Sequence, residues 1–295
     1  MGQNKEELNR LLDFIGTLAK QPGNEGFIAG LRALVCETDH PDLKAELEDI
    51  RRILNIRGKQ SIDYSFVDDE ITRQQLIMDN LRMENASLDN DLSIEDRWNE
   101  YCSYRHFQVE NVLNYYYDNA FPDFDTAQRY IEKFTKGIQN PFQRDVTLSN
   151  SSQITTYIKT TAFCNDFFPF NKLKPDYTSK NLNQIRTVRN EYIHRSTANT
   201  VRELQKKYTT PGALKTPLVN LVNCIRSLFI SKSFVEIVPA VVEKKLAGGA
   251  TVKFNGITTM LDNDIYAKHS NSLVEGKQIK AIVRNNVLFD IVLDA

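Results

Sequence analysis

The 295-residue chain has few of the features that would assign it to a specialised class of protein. Its only cysteines are Cys36, Cys102, Cys164 and Cys224, with no Cys-x-x-Cys pair and no histidine at zinc-binding spacing. We therefore expect reduced thiols, no metal and no other cofactor. No apolar run approaches the roughly 20 residues that cross a bilayer, and the acidic N-terminus does not resemble a signal peptide. These absences predict a cytoplasmic protein without a membrane partner.

The chain also lacks net charge and the common catalytic signatures. It has 37 basic and 38 acidic residues, and it contains no Walker loop, no G-x-S-x-G and no H-E-x-x-H. The charges are nevertheless unevenly distributed. Residues 1–100 have 12 basic and 21 acidic side chains, whereas residues 151–234 have 13 basic and 4 acidic. This asymmetry indicates either that the second region handles an anion or that two domains simply differ in isoelectric point.

Residues 1–92 are predicted to form an acidic helical region. Apolar residues recur at helical spacing in three stretches, residues 8–18, 27–35 and 43–54. Residues 68–90 predict a polar connecting helix with a thin apolar stripe formed by Ile71, Met78 and Leu81. Residues 27–57 would also suit a helix-turn-helix DNA reader, although the acidic surface works against phosphate binding.

Residues 93–235 are predicted to form a helical bundle. Ser93 and Asp96 resemble a capping signal at the start of a long helix. Its predicted apolar face consists of Ile94, Trp98, Tyr101, Val109, Val112, Leu113 and Tyr116. Further helices are predicted over residues 125–139, 151–168, 180–196 and 217–234. Arg105 and His106 on the long helix could face the same cleft as the candidate motif described below, but a surface position is expected for both.

Residues 236–295 are predicted to form a small β domain, a closed barrel of the OB or SH3-like kind. The expected strands are Val235–Val242, Ala250–Phe254, Asp264–Lys268, Gln278–Val283 and Val287–Leu293. The last two flank a short Asn-containing turn and predict a hairpin. The predicted fold class is therefore mainly α, with a small C-terminal β-barrel-like module.

One segment, residues 185–196, combines residue types that can carry out chemistry. Asn190 and His194 are four residues apart on one helical face, and Arg189 and Arg195 flank them. An imidazole can move a proton near neutral pH, and guanidinium groups can bind a phosphate. RNA cleavage by its own 2′-hydroxyl needs these parts and no metal.

The spacing Arg189-Asn190-x-x-x-His194 resembles the R-N-x-x-x-H signature of the HEPN (higher eukaryotes and prokaryotes nucleotide-binding) domain family. The resemblance covers roughly residues 93–235 and depends on this one short motif within a predicted helical bundle. It implies a metal-independent endoribonuclease in which Arg189 and His194 are catalytic and Asn190 orients the site. It also implies a homodimer with a composite active site, and a role as a toxin or antiviral defence effector with an inhibitor or trigger protein.

The expected RNA contacts lie around this motif. They are Arg195, Arg186, Tyr192, Lys206 and Lys207. The lysines, together with Lys172 and Lys174, would extend the basic surface as sequence-neutral phosphate contacts. Tyr192 would either pack within the protein or stack on a base.

Two alternatives stay open. In the first, the motif is structural: His194 is a histidine of the core or of an interface. Arg189 and Arg195 are then solvated or paired with Glu191 or Glu203. In the second, the bundle is a non-catalytic HEPN-like dimeric scaffold or adaptor in a protein or RNA complex.

Overall fold

The computed structural model describes residues 62–89, 92–135, 149–168, 178–194 and 199–293. Its eight α-helices are α1 (Glu70–Leu88), α2 (Ile94–Asn119), α3 (Phe124–Phe134), α4 (Thr156–Phe167), α5 (Thr178–Ile193), α6 (Asn199–Lys207), α7 (Lys215–Ile230) and α8 (Asn263–His269). Its five strands are β1 (Glu236–Leu246), β2 (Gly249–Phe254), β3 (Ile257–Met260), β4 (Gln278–Arg284) and β5 (Val287–Val292). The three helices predicted before residue 55, and the DNA-reader hypothesis that depends on them, lie outside the described residues.

These elements form a mainly α protein with a small C-terminal sheet, as the sequence predicts. Residues 62–295 make one compact unit, in which α1 packs on α2 and the sheet contributes to the core of the helices. The predicted boundaries near residues 92 and 235 fall within this unit. Whether the segments that they separate fold independently stays a prediction. None of the helices in the described ranges is long and apolar enough to span a bilayer.

The long helix α2 is the centre of the bundle. The Ser93 hydroxyl accepts a hydrogen bond from the Asp96 amide at 3.1 Å, so the predicted N-terminal cap is confirmed. Most of the predicted apolar face is buried, but Ile94 in the first turn is 65% exposed. Arg105 and His106 are also buried, which corrects the surface position expected for both. Because α2 has neighbours on several sides, it buries residues that an amphipathic helix at the surface would expose.

Helix α1 buries a different face from the one predicted. Ile71 and Met78 are exposed, whereas the buried positions are Leu76, Asp79, Asn80, Met83 and Ala86. These positions follow helical spacing, but two of them are polar. Burial raises the pKa of Asp79, and its carboxylate accepts a hydrogen bond from Gln75. The predicted stripe of Ile71, Met78 and Leu81 is therefore not the face that α1 buries.

The C-terminal sheet is antiparallel, with the strand order β3-β2-β1-β4-β5, so β3 and β5 are its edge strands. The sheet is therefore a curled half-barrel, and the predicted closure of the barrel is wrong. The predicted hairpin between β4 and β5 is confirmed. Its two-residue turn is Asn285-Asn286, and both residues have positive φ, as a type I′ turn requires. Strand β3 was not predicted, although Asn255-Gly256 forms an equivalent turn before it.

The segment predicted as a third strand, Asp264–Lys268, is instead helical and belongs to α8. Asp262 precedes this helix, and Lys268 and His269 lie in its last turn, where cations suit the helix dipole. The short alternation of polar and apolar residues was mistaken for a strand. Helix α6 was also not predicted.

Aromatic residues join the helices to the sheet. Tyr130 of α3 lies 5.8 Å from Phe289 of β5, measured between ring centroids. Arg284 of β4 donates to Asp166 of α4 at 2.6 Å, and its guanidinium lies 4.5 Å from the centre of the Phe167 ring. The sheet therefore packs on α3 and α4.

Candidate functional site

The predicted motif lies at the C-terminal end of α5. The helix ends at Ile193, and the backbone N–H of His194 donates to the carbonyl of Asn190 at 3.0 Å. The side chains of Tyr192, Ile193 and His194 are exposed. His194 is therefore not a core histidine. Of the alternative in which His194 has a structural role, only the interface position remains. Arg195 lies outside the described residues.

Helix α5 is oriented by its buried face. Leu182, Ile185 and Val188 recur at three-residue spacing and are fully buried. This face packs against the bundle and leaves Arg186, Arg189 and Asn190 half-buried. Residues five positions apart are separated by about 140° around a helix, so Arg189 and His194 point in different directions. Of the predicted catalytic residues, Arg189 and Asn190 are thus brought together, whereas His194 lies to one side.

Arg189 is held by two contacts. Its Nη1 donates to Oδ1 of Asn190 at 3.1 Å, and its Cζ lies 5.8 Å from the centre of the Phe107 ring. The hydrogen bond fixes one edge of the guanidinium, and the ring supports its plane through a cation–π contact. Nε is buried and has no hydrogen-bond partner in the described ranges.

Arg186, one turn before Arg189, has a similar environment. Its Cζ lies 5.1 Å from the centre of the Tyr157 ring on α4, and its Nε is likewise buried and unpartnered among the described residues. Neither arginine forms an ion pair with a described carboxylate. Glu191, proposed as a partner of Arg189, instead accepts hydrogen bonds from the backbone and hydroxyl of Thr200. Within the described ranges, the two guanidinium groups therefore have no carboxylate that compensates their positive charge.

His106 lies on α2 behind these arginines. Burial lowers its pKa to about 4, and the charges of Arg189 and Arg186 act in the same direction. Glu110, at 4.0 Å between His106 Nε2 and Glu110 Oε2, raises the pKa but does not offset burial. His106 is consequently neutral at neutral pH. It adds no charge to the site.

Two further buried cations lie in the bundle. Lys159 of α4 donates to the carbonyl of Ser151 at 2.9 Å and to Asn114. Burial lowers the pKa of Lys159 to about 8. Burial also lowers the pKa of Arg105 to about 10, and no nitrogen of its guanidinium has a hydrogen-bond partner in the described part of the chain.

The remaining predicted residues are dispersed. Lys206 and Lys207 are exposed at the end of α6, which packs on α5, and Lys207 Nζ lies 5.0 Å from the centre of the Tyr208 ring. Lys172 and Lys174 lie outside the described residues. In the described ranges, no group of three or more His, Cys, Asp or Glu side chains is arranged to hold a metal. Cys102, Cys164 and Cys224 are free thiols.

The sequence did not indicate Phe107 and Tyr157, the rings that support the two arginines. Phe107 gives no signal in the sequence, because its contact with Arg189 joins α2 to α5. Tyr157 gives none either, because its contact with Arg186 also joins two helices. Comparison of the chain with protein-family models, with curated proteins and with solved structures gives no match.

Proposed function

We propose that the chain is a metal-independent endoribonuclease of HEPN type, with Arg189, Asn190 and His194 as its site. The observation that carries this proposal is the guanidinium of Arg189, which pairs with no carboxylate of the described residues and is fixed by Asn190 on the same helix end that exposes His194. A fixed cation and an accessible imidazole on one helix end are the two residue types that a reaction at a phosphodiester needs. The helical bundle would then be HEPN-like, with the sheet as an OB- or SH3-like accessory module.

The reaction begins with attack of the RNA 2′-hydroxyl on the adjacent phosphorus. The new bond joins O2′ to phosphorus, and the bond from phosphorus to the 5′-oxygen breaks. A base takes the proton of the 2′-hydroxyl, and an acid protonates the leaving oxygen. Arg189 stabilises the additional negative charge on the phosphate. The products carry a 2′,3′-cyclic phosphate and a 5′-hydroxyl.

The different directions of Arg189 and His194 support a composite site. At the motif, a single chain presents one imidazole, that of His194, whereas the reaction needs one base and one acid. In a homodimer related by a two-fold axis, His194 of each copy would supply one of these roles, and Arg189 would approach from the other side. An isolated monomer is therefore expected to be nearly inactive.

RNA would be held by the basic residues around the motif. Arg186 lies one turn from Arg189, and Lys206 and Lys207 are exposed on the adjoining helix. Tyr192 is exposed and available to stack on a base. A toxin or antiviral role in the cytoplasm, controlled by an inhibitor or trigger, belongs to the same proposal.

The test is cleavage of a mixed RNA pool in the presence of EDTA. The wild-type chain should cut, and His194→Ala should not. His269→Ala is the matched control, because His269 lies on α8 in the C-terminal part and should leave cleavage unchanged. Absence of cutting by the wild-type dimer, with and without added metal, would count against the proposal. Equal cutting by His194→Ala would overturn the assigned site.

A second candidate is the non-catalytic scaffold. The observation that favours it is the exposed apolar surface at the motif, where Tyr192 is 44% and Ile193 is 48% exposed. Such a patch suits a protein interface. The scaffold predicts that Ile193→Asp abolishes self-association and function, whereas His194→Ala preserves both. Loss of function with intact association in His194→Ala would exclude it.

A further inference from the structure

We propose that a surface of paired arginines and aromatic rings, running from the motif across α2 to α1, binds single-stranded RNA and leads it to the site. We call this surface the aromatic–arginine track. Its members are Arg82, Tyr104, Phe107, Tyr157, Arg186 and Arg189. The inference deepens the proposed ribonuclease function and depends on it for the direction of the strand, but the binding itself can be measured without cleavage.

The first part of the track is a continuous series of contacts. Arg189 Cζ lies 5.8 Å from the centre of the Phe107 ring. The Phe107 ring is in edge contact with Tyr104, at 6.2 Å between centroids. Arg82 Cζ, on α1, lies 5.7 Å from the centre of the Tyr104 ring. The series therefore joins α5 to α1 across α2 without interruption.

The second part of the track extends it along α5. Arg186 lies three residues before Arg189 and rests on Tyr157 of α4 at 5.1 Å from the ring centre. Residues three apart on a helix are neighbours at its surface. Two arginines supported by two different rings thus lie side by side next to the motif. This arrangement can contact successive phosphates of one strand.

The track is accessible to a ligand. Arg82 is exposed, and Tyr104, Phe107, Tyr157 and Arg186 are half-buried. A half-buried ring is held in position by the protein and still offers part of its surface. Stacking on a ring occupies only the face of a guanidinium. Since Arg189 Nη1 is bonded to Asn190 and the Nε of Arg186 and Arg189 is buried, a phosphate would contact the remaining N–H groups.

The charge of the track selects an anionic partner. None of its three arginines is ion-paired with a carboxylate in the described residues. The neighbouring carboxylate, Glu110, accepts a hydrogen bond from Thr156 at 3.1 Å. His106 beneath the track is neutral at neutral pH. Three arginines outnumber the nearby carboxylates of Glu110 and Asp79, so the described part of the surface is net positive beside its aromatic rings.

Alternating cations and rings match a single strand better than a duplex. Single-stranded nucleic acid exposes both phosphates and base faces, and binding proteins combine a basic groove with stacking side chains. A duplex hides its base faces, so it could not stack on the rings. A protein partner would more often offer carboxylates to the arginines. The track therefore suits the substrate of the proposed reaction.

The test measures binding rather than cleavage. A short labelled RNA without secondary structure is titrated by fluorescence anisotropy with the His194→Ala chain, which the proposed function expects not to cut it. Phe107→Leu and Tyr104→Leu in this background should each weaken binding about tenfold, since loss of one stacking contact with a base costs on the order of 1–3 kcal/mol. Arg82→Gln should reduce the slope of log affinity against log salt by about 0.7.

Matched controls separate the track from general effects. Tyr266→Leu removes a half-buried tyrosine near the sheet, and Arg226→Gln removes an arginine that is already paired with Asp63. Neither should change affinity or salt slope. Tyr104→Phe keeps the ring and should retain full binding, which distinguishes loss of stacking from loss of folding.

The outcomes of binding and cleavage are independent. If the His194→Ala chain does not bind the RNA, or if the track variants bind as tightly as the controls, the track is wrong. Cleavage by the wild-type chain would then still support the proposed ribonuclease. If the track variants lose binding but the wild-type chain never cuts, the track stands and the proposed reaction fails. A duplex bound more tightly than the single strand would also overturn the track.

Discussion

Replacing the buried Lys159 with methionine should change how the stability of the protein depends on pH. Lys159 has no exposed surface, and its Nζ donates to the carbonyl of Ser151 and to Asn114. Burial lowers its pKa from 10.5 to about 8, although the charges of Glu110 and Asp118 act in the opposite direction. The native state therefore releases this proton at a lower pH than the unfolded chain does.

The magnitude follows from these two pKa values. Between pH 8 and 10.5 the unfolded chain holds the proton and the native state does not, so the free energy of unfolding rises with pH. The interval corresponds to about 3 kcal/mol. Below pH 8 both states are protonated, and Lys159 contributes no slope. Methionine has no proton to exchange, so Lys159→Met loses the whole contribution.

Urea unfolding followed by the fluorescence of Trp98, the single and buried tryptophan, measures this difference. From neutral pH to about pH 10, the free energy of unfolding of the wild-type chain should rise relative to Lys159→Met by about 2–3 kcal/mol. Lys244→Met replaces an exposed lysine on β1 and should give a curve parallel to the wild type. If the pH dependence of Lys159→Met ran parallel to that of the wild-type chain, the burial of Lys159 and its lowered pKa would be refuted.

Three further predictions concern other parts of the fold. His106 has a pKa of about 4, so the native state loses stability as pH falls from 6.5 towards 4, and His106→Gln should flatten this loss in urea unfolding. Arg284→Gln leaves the largely buried carboxylate of Asp166 with the Tyr130 hydroxyl but without its cation, and should lower the free energy of unfolding by about 3 kcal/mol. Adding Asp166→Asn should restore part of that loss, and no recovery would contradict the pairing. Asn286→Val forces a β-branched residue to positive φ and should cost about 1–2 kcal/mol, whereas Asn286→Gly should not lower the melting temperature.

Local signals made much of the fold predictable. Ser93 caps α2 as expected, because capping involves residues three positions apart. The turn at Asn285-Asn286 is local in the same way. Asn255-Gly256 is an equally local turn signal, and it precedes β3, so the sequence also contains a signal for the β2–β3 hairpin. Asp264–Lys268 was too short for its alternation to distinguish a strand from a helix.

The sequence alone did not indicate which polar residues are buried. Asp79 and Asn80 lie on the inner face of α1, where a hydrophobic pattern would not place them. His106 is polar and was expected at the surface, yet the packing of α2 encloses it.

In the candidate site, one contact is predictable from the sequence and the others depend on the packing of the helices. Arg189 and Asn190 are neighbours in sequence, and their contact follows from the motif. Phe107 and Tyr157 contact the arginines from other helices, and such contacts arise only when the helices pack. A single sequence therefore indicates the reactive residue types, whereas the surface that positions them requires the tertiary structure.

The most direct test of the central claim uses an RNA that the wild-type chain cuts at a known position. A second RNA of the same sequence carries a single 2′-deoxynucleotide on the 5′ side of that bond, and both are incubated with EDTA. Attack by the 2′-hydroxyl predicts that the first RNA yields a 2′,3′-cyclic phosphate and a 5′-hydroxyl, and that the second is not cut there. Cleavage at the deoxynucleotide, or a product with a 5′-phosphate, would contradict the proposed reaction of Arg189 and His194.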